Sequence, residues 1–118
     1  MNILYIEDEP NDANLVALFV QSTPHQLTVV NTLAEGIRAI NQQPQLVLVD
    51  VLLSNSRDGF QFVKAARQQG YAMPMVAVTG LSTPQDVEQC YQVGFDRVLT
   101  KPFTIDQLAD LIDAYALG

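Results

Sequence analysis

The sequence predicts an α/β fold: five strands and five helices in strict (βα)5 alternation, forming a doubly wound, five-stranded parallel sheet in three α/β/α layers. Three observations carry this. Short apolar runs alternate with amphipathic stretches five times along the chain. Three of those runs are apolar on both faces, as strands are when helices cover both sides of a parallel sheet. Capping and turn residues then punctuate the boundaries between them.

The strand runs are Ile3-Leu4-Tyr5-Ile6, Leu27-Thr28-Val29-Val30, Leu46-Val47-Leu48-Val49, Met75-Val76-Ala77-Val78 and the short Val98-Leu99. Between them the period becomes helical. Leu15, Leu18 and Phe19 share a predicted face in helix one, as do Leu33, Ile37 and Ile40 in helix two. Phe60, Val63 and Ala66-Arg67 continue the pattern in helix three. Val87, Cys90 and Tyr91 mark helix four, and Leu108, Leu111, Ile112 and Tyr115 mark helix five. Thr32 with Glu35, and Thr104 with Gln107, have capping-box spacing, while Thr83-Pro84 places an N-cap before a proline at the first helical position. Pro44, Gly70 and Gly94 end helices two, three and four. Alternation of this kind requires right-handed crossovers, with helices on both faces of the sheet.

Composition narrows the functional classes. The 118 residues fit one domain, 1–118, and a hydrophobic fraction of 48% with 16% charged residues supplies a core and excludes disorder. A single cysteine, Cys90, excludes an internal disulfide framework and a multi-cysteine zinc site, and its apolar spacing places it in the core. His25 has no second histidine or cysteine near it and reads as a loop residue. The net charge of -7 argues against nucleic-acid binding, which needs clustered Lys and Arg, and favours cations or a basic partner surface. No apolar run approaches the roughly 18 residues of a membrane helix, and the start lacks a basic flank, so a cytoplasmic location without membrane contact is expected.

In such sheets the functional crevice lies beyond the carboxyl ends of the strands. Strand one is followed there by Glu7-Asp8-Glu9, strand three by Asp50, strand four by Thr79 and strand five by Thr100-Lys101-Pro102. Taken singly, each has an ordinary structural explanation as a cap, turn or surface residue. Together, they bring carboxylates, a hydroxyl and a lysine to one edge. Two carboxylates about 4 Å apart repel by roughly 4 kcal/mol at an effective dielectric near 20, so the cluster needs a cation or Lys101 to offset it. An oxygen-only site suits Mg²⁺ better than zinc. A carboxylate can also serve as a nucleophile that forms an aspartyl-phosphate, and Asp50, ending the most buried strand, is the best placed. The metal and Lys101 would then neutralise the phosphoryl oxygens, and the Thr79 hydroxyl could donate to one of them.

These residues resemble the receiver domain of two-component response regulators, of the single-domain chemotaxis kind. The resemblance covers essentially the whole chain. It rests on Ile6-Glu7-Asp8-Glu9-Pro10, Leu48-Val49-Asp50, Asp58-Gly59-Phe60, Ala77-Val78-Thr79-Gly80 and Leu99-Thr100-Lys101-Pro102-Phe103 in that order. The fold it implies is flavodoxin-like. It implies that Asp50 accepts a phosphoryl group from a histidine of a sensor histidine kinase or histidine phosphotransfer domain, and that a downstream effector protein reads the result. Asp8, Asp50 and the Leu52 carbonyl would hold Mg²⁺, with Glu7 acting through a metal-bound water. Thr79 would hydrogen-bond the phosphoryl group, Lys101 would pair with it, and a cis bond is implied at Lys101-Pro102.

The chain also departs from the family pattern. Ser54 stands where a proline is common, and the stretch from Leu53 to Arg57 is one residue longer than usual. Val98 occupies the position of an aromatic switch, and a valine cannot swing inward as a ring does. Leu52 and Leu81 resemble the family's water gates; being apolar, neither orients an attacking water, which implies slow self-dephosphorylation. The principal alternative is a pseudo-receiver that binds partners constitutively. A phosphatase-type enzyme lacks a positioned acid or base after Asp50 and a substrate cap. A flavin site would place phosphate against the acidic Glu7-Asp8-Glu9 run.

Overall fold

All ten expected elements form, in the expected order, in a computed structural model that describes residues 1–53 and 58–116. The strands are β1 (Asn2–Ile6), β2 (Gln26–Val30), β3 (Leu46–Asp50), β4 (Met75–Thr79) and β5 (Arg97–Thr100). The helices are α1 (Pro10–Gln21), α2 (Leu33–Ile40), α3 (Asp58–Gln68), α4 (Pro84–Val93) and α5 (Ile105–Ala116). The sheet is parallel throughout, in the order β2-β1-β3-β4-β5. The longer loop expected before Asp58 falls largely on 54–57, outside the described residues. Among the described residues no helix is long and apolar enough to cross a membrane.

Strand alternation sorts the core into two layers. Leu4, Ile6, Val47, Val49, Met75 and Ala77 face one side, where Ile40, Phe60, Phe62, Val63 and Cys90 pack on them. Ile3, Tyr5, Leu46, Leu48, Val76 and Val78 face the other, beneath Val16, Val20, Leu108, Leu111 and Ile112. Cys90 is thus core, as its spacing predicts.

The helix boundaries follow the predicted caps. Thr104 and Gln107 form the full reciprocal box, with the Thr104 N–H donating to Gln107 Oε1 (2.8 Å) and the Gln107 N–H to Thr104 Oγ1 (3.1 Å). Thr32 and Thr83 accept from the N–H groups of Glu35 and Asp86. The cap of α1 is Glu9, which accepts from the Asp12 N–H (2.8 Å) ahead of Pro10, a position the spacing rules do not mark.

The core face of α1 differs from the expected one. Leu15 and Leu18 are 39% and 67% exposed, while Val16 and Val20 are buried. Residues 15, 16, 18, 19 and 20 are all apolar, so the pattern wraps most of the helix and does not single out one stripe. Ile37 and Tyr91 likewise lie largely exposed beside the buried Gly36, Ile40 and Cys90. Arg67, at an apolar-phase position, is a clamp. Its guanidinium donates to the carbonyls of Gly94 (3.0 Å), Tyr71 (3.0 Å) and Met73 (2.8 Å) and to Asp96 (2.9 Å). Asp96 in turn accepts from the Met75 N–H, so one side chain ties α3 to the loops entering β4 and β5. Gly94 has φ +123°, and a Cβ there would lie 2.8 Å from Arg67 Cγ, so both backbone and space require glycine.

Arg67→Ala leaves these carbonyls without their charged donor and should lower the unfolding free energy by about 3 kcal/mol in urea denaturation. Arg67→Lys should restore only part, because an ammonium cannot span the fork. An unchanged midpoint for Arg67→Ala would contradict this role.

Candidate phosphoacceptor and metal site

Sheet register brings the functional side chains together. Ile6 pairs with Val49, so Glu7 leaves β1 beside Asp50 at the end of β3. Asp50 pairs with Val78, and Thr79 with Thr100, so Thr79 and Lys101 continue the row. The chain leaves β1 for β2 on one side, and β3 lies on the other, so the row crosses the topological switch point. The Lys101 N–H donates to the Thr79 carbonyl (2.8 Å), and the Lys101-Pro102 bond is cis, as the resemblance implies. Gly59 completes the floor: its N–H donates to the Val51 carbonyl, and a Cβ there would stand 2.5 Å from the Asp50 carbonyl oxygen.

Glu7, Asp50 and Thr79 are buried polar residues at this edge. Glu7 Oε1 accepts from the Glu9 N–H (3.1 Å), and Oε2 accepts from the Tyr5 hydroxyl (2.9 Å) and Lys101 Nζ (2.7 Å). Asp50 Oδ1 accepts from the Leu52 N–H (3.1 Å), with Lys101 Nζ 3.5 Å from Oδ2. Thr79 Oγ1 accepts from the Leu81 N–H (3.0 Å), which leaves its own O–H to donate elsewhere. Asp8 is exposed, and one carboxylate oxygen each from Glu7, Asp8 and Asp50 lie within 4.8 Å of one another.

Two residues of the site escape the strand-end rule. Asp12, on the first turn of α1, accepts from Lys101 Nζ at 2.9 Å. Tyr5 lies two residues before Glu7, and strand alternation places both on one face, a signal present in the sequence. Asp12 has no such marker, since an acidic residue in a first helical turn is already explained by the helix dipole. The lysine is therefore engaged chiefly by Glu7 and Asp12, with Asp50 at longer range.

The charges are unequal. Burial foremost, then the hydrogen bond and charge of Glu7, push the Asp50 carboxyl from 3.8 up to about 7, against the weaker pull of Lys101 and the Leu52 N–H. Burial lowers the Lys101 pKa, but its bonds to Glu7 and Asp12 and the Asp50 charge outweigh that, and the net shift is upward. Burial and Glu7 raise the Tyr5 hydroxyl, so it stays a donor. Three carboxylates, Glu7, Asp12 and Asp50, thus share one ammonium. The remaining donor set consists of carboxylate oxygens, which fits a hard divalent cation rather than a thiophilic one.

This is the class of α/β protein whose switch-point carboxylate receives a phosphoryl group. The chain belongs to the response regulator receiver domain family, which matches residues 3–113. Receiver domains are phosphoacceptors rather than turnover enzymes, and the acidic cluster here is positioned like their phosphorylation and Mg²⁺ site. The chain is 30% identical over 117 residues to the sensor histidine kinase RcsC of Salmonella typhi, covering 98% of the chain and 12% of that protein. It is 29% identical to the probable C4-dicarboxylate response regulator DctR of Halalkalibacterium halodurans, covering 98% of the chain and 51% of that protein. The fold matches the signal receiver domain of a putative LuxO repressor protein from Vibrio parahaemolyticus with a TM-score of 0.89 at 23% identity, over 97% of this chain and 88% of that one.

Because the folded state raises the Asp50 pKa, it binds the proton more tightly than the unfolded chain between about pH 4 and 7. The Asp50 contribution to stability therefore falls as pH rises through that window and changes no further above it. Without divalent cations at about pH 8, Asp50→Asn should raise the unfolding free energy by up to about 4 kcal/mol, the gain shrinking toward zero near pH 4. Denaturation in chelator across this range checks it; equal stability at the alkaline end would contradict it.

Proposed function

We propose that residues 1–118 form one receiver domain in which Asp50 accepts a phosphoryl group from a phosphohistidine of a sensor histidine kinase or histidine phosphotransfer domain. The observation that carries this is the buried Asp50 carboxylate, set at the switch point between Glu7, Lys101 and Thr79. An Asp50 carboxylate oxygen attacks phosphorus and forms the P–O bond as the P–N bond to the donor imidazole breaks, its electron pair leaving with that nitrogen. The Lys101 ammonium pairs with the phosphoryl oxygens and the Thr79 hydroxyl donates to one of them. Asp8, Asp50 and the Leu52 carbonyl are the residues that would hold Mg²⁺, with Glu7 acting through a bound water; the ion supplies positive charge for the phosphoryl oxygens.

The phosphorylated state then alters binding to a downstream effector protein. The kinase partner is supported by relatives that include a sensor histidine kinase and a response regulator, although the chain spans only 12% and 51% of their lengths. A cytoplasmic location accords with that partnership. Val98, half-buried against the same core layer as Leu81, rules out an aromatic rotamer change at that position, so output through the α4–β5–α5 face is either carried by another displacement or weak. Leu52 and Leu81, next to the Asp50 and Thr79 hydrogen bonds, offer no group to orient a hydrolytic water.

Incubation with acetyl phosphate and Mg²⁺ should add one phosphoryl group by intact mass, and neither Asp50→Asn nor Mg²⁺-free protein should gain it. The modified form should decay slowly, and Leu81→Asn should shorten its lifetime several-fold. No uptake by folded, Mg²⁺-binding protein would point instead to a constitutive interaction module.

A further inference from the structure

The geometry points to Asp12 as a positioning residue that holds Lys101 away from the phosphoacceptor, so that an incoming phosphoryl group must take the ammonium from it. This rests on Lys101 pairing with a phosphoryl group at Asp50. The lysine ammonium has three donors. Two make short bonds, to Glu7 Oε2 at 2.7 Å and Asp12 Oδ2 at 2.9 Å, while Asp50 Oδ2 lies at 3.5 Å.

The two near partners differ in kind. Glu7 is buried and fixed by the Tyr5 hydroxyl and the Glu9 N–H, so its hold on the lysine is permanent. Asp12 is 35% exposed on the first turn of α1, where water can replace the ammonium and the helix dipole tolerates an unpaired carboxylate. Its bond to Lys101 is therefore the exchangeable one. Phosphoryl oxygens at Asp50 compete for the N–H that Asp12 holds, while Glu7 keeps the lysine in the site. Neutralising Asp12 removes the competitor and leaves the anchor in place. The Asp12 N–H still caps onto Glu9, so Asp12→Asn keeps the helix start.

The test is a double-mutant cycle read by fluorine NMR titration of beryllofluoride, a phosphoryl mimic, in saturating Mg²⁺. Asp12→Asn should bind about threefold tighter than wild type, the scale of a partly exposed ion pair, and Asp12→Glu should stay near wild type. Lys101→Gln should bind much more weakly, and adding Asp12→Asn to it should give no gain. Unchanged or weaker binding by Asp12→Asn overturns the inference, as does a gain that persists without Lys101, which would be a plain charge effect. If Lys101→Gln binds beryllofluoride as tightly as wild type, the assignment of Lys101 to the phosphoryl group itself fails. A Lys101 effect with no Asp12 effect overturns only the role of Asp12.

Discussion

Repulsion among carboxylates crowded at one end of a parallel sheet is the constraint around which this molecule is arranged. Glu7 and Asp50 are buried, Asp8 and Asp12 stand close by, and the Lys101 ammonium pairs with three of the four, Glu7, Asp12 and Asp50. A fold with no use for the cluster could replace Asp50 with asparagine or an apolar residue and become more stable, since breaking even is the usual best outcome for buried charge. Lys101 reduces the cost without removing it, and the raised proton affinity of Asp50 is what remains. A site in that condition favours whatever brings positive charge.

The scaffold meets this demand with rigidity. Two apolar layers, each built from alternate residues of the same strands, fix β1, β3 and β4 so that register alone sets Glu7 beside Asp50 and Asp50 beside the strand leading to Thr79. Gly59 lets α3 approach the Asp50 main chain closer than any side chain would allow. At the opposite end Arg67 ties the loops entering β4 and β5 to α3, so those strands are held at both ends. The charged groups are thereby placed on strand ends rather than on loops free to wander, and the partly exposed Asp12–Lys101 pair is the contact left free to exchange.

Most of the fold was legible in the sequence because its signals are local: five apolar runs, five helical periods and caps such as Thr104 with Gln107. The strand-end rule then located Glu7, Asp8, Asp50, Thr79 and Lys101 at one edge without any knowledge of contacts. Periodicity failed on α1, where apolar residues at 15, 16, 18, 19 and 20 surround the helix and only tertiary packing selects Val16 and Val20. It also passed over Asp12, because the contact with Lys101 joins residues 89 positions apart and depends on how α1 folds back over the sheet edge. The tyrosine at position 5 was readable in principle: a polar tip in an apolar strand, in phase with Glu7.

The most direct test of this account is to follow the Asp50 carboxyl carbon by NMR through a pH titration, first in chelator and then with saturating Mg²⁺. The account predicts a midpoint near 7 in chelator, the value that burial and Glu7 impose, and a large fall once the divalent ion supplies the missing charge. An ordinary carboxylate midpoint in chelator, or one that Mg²⁺ leaves unmoved, would contradict it.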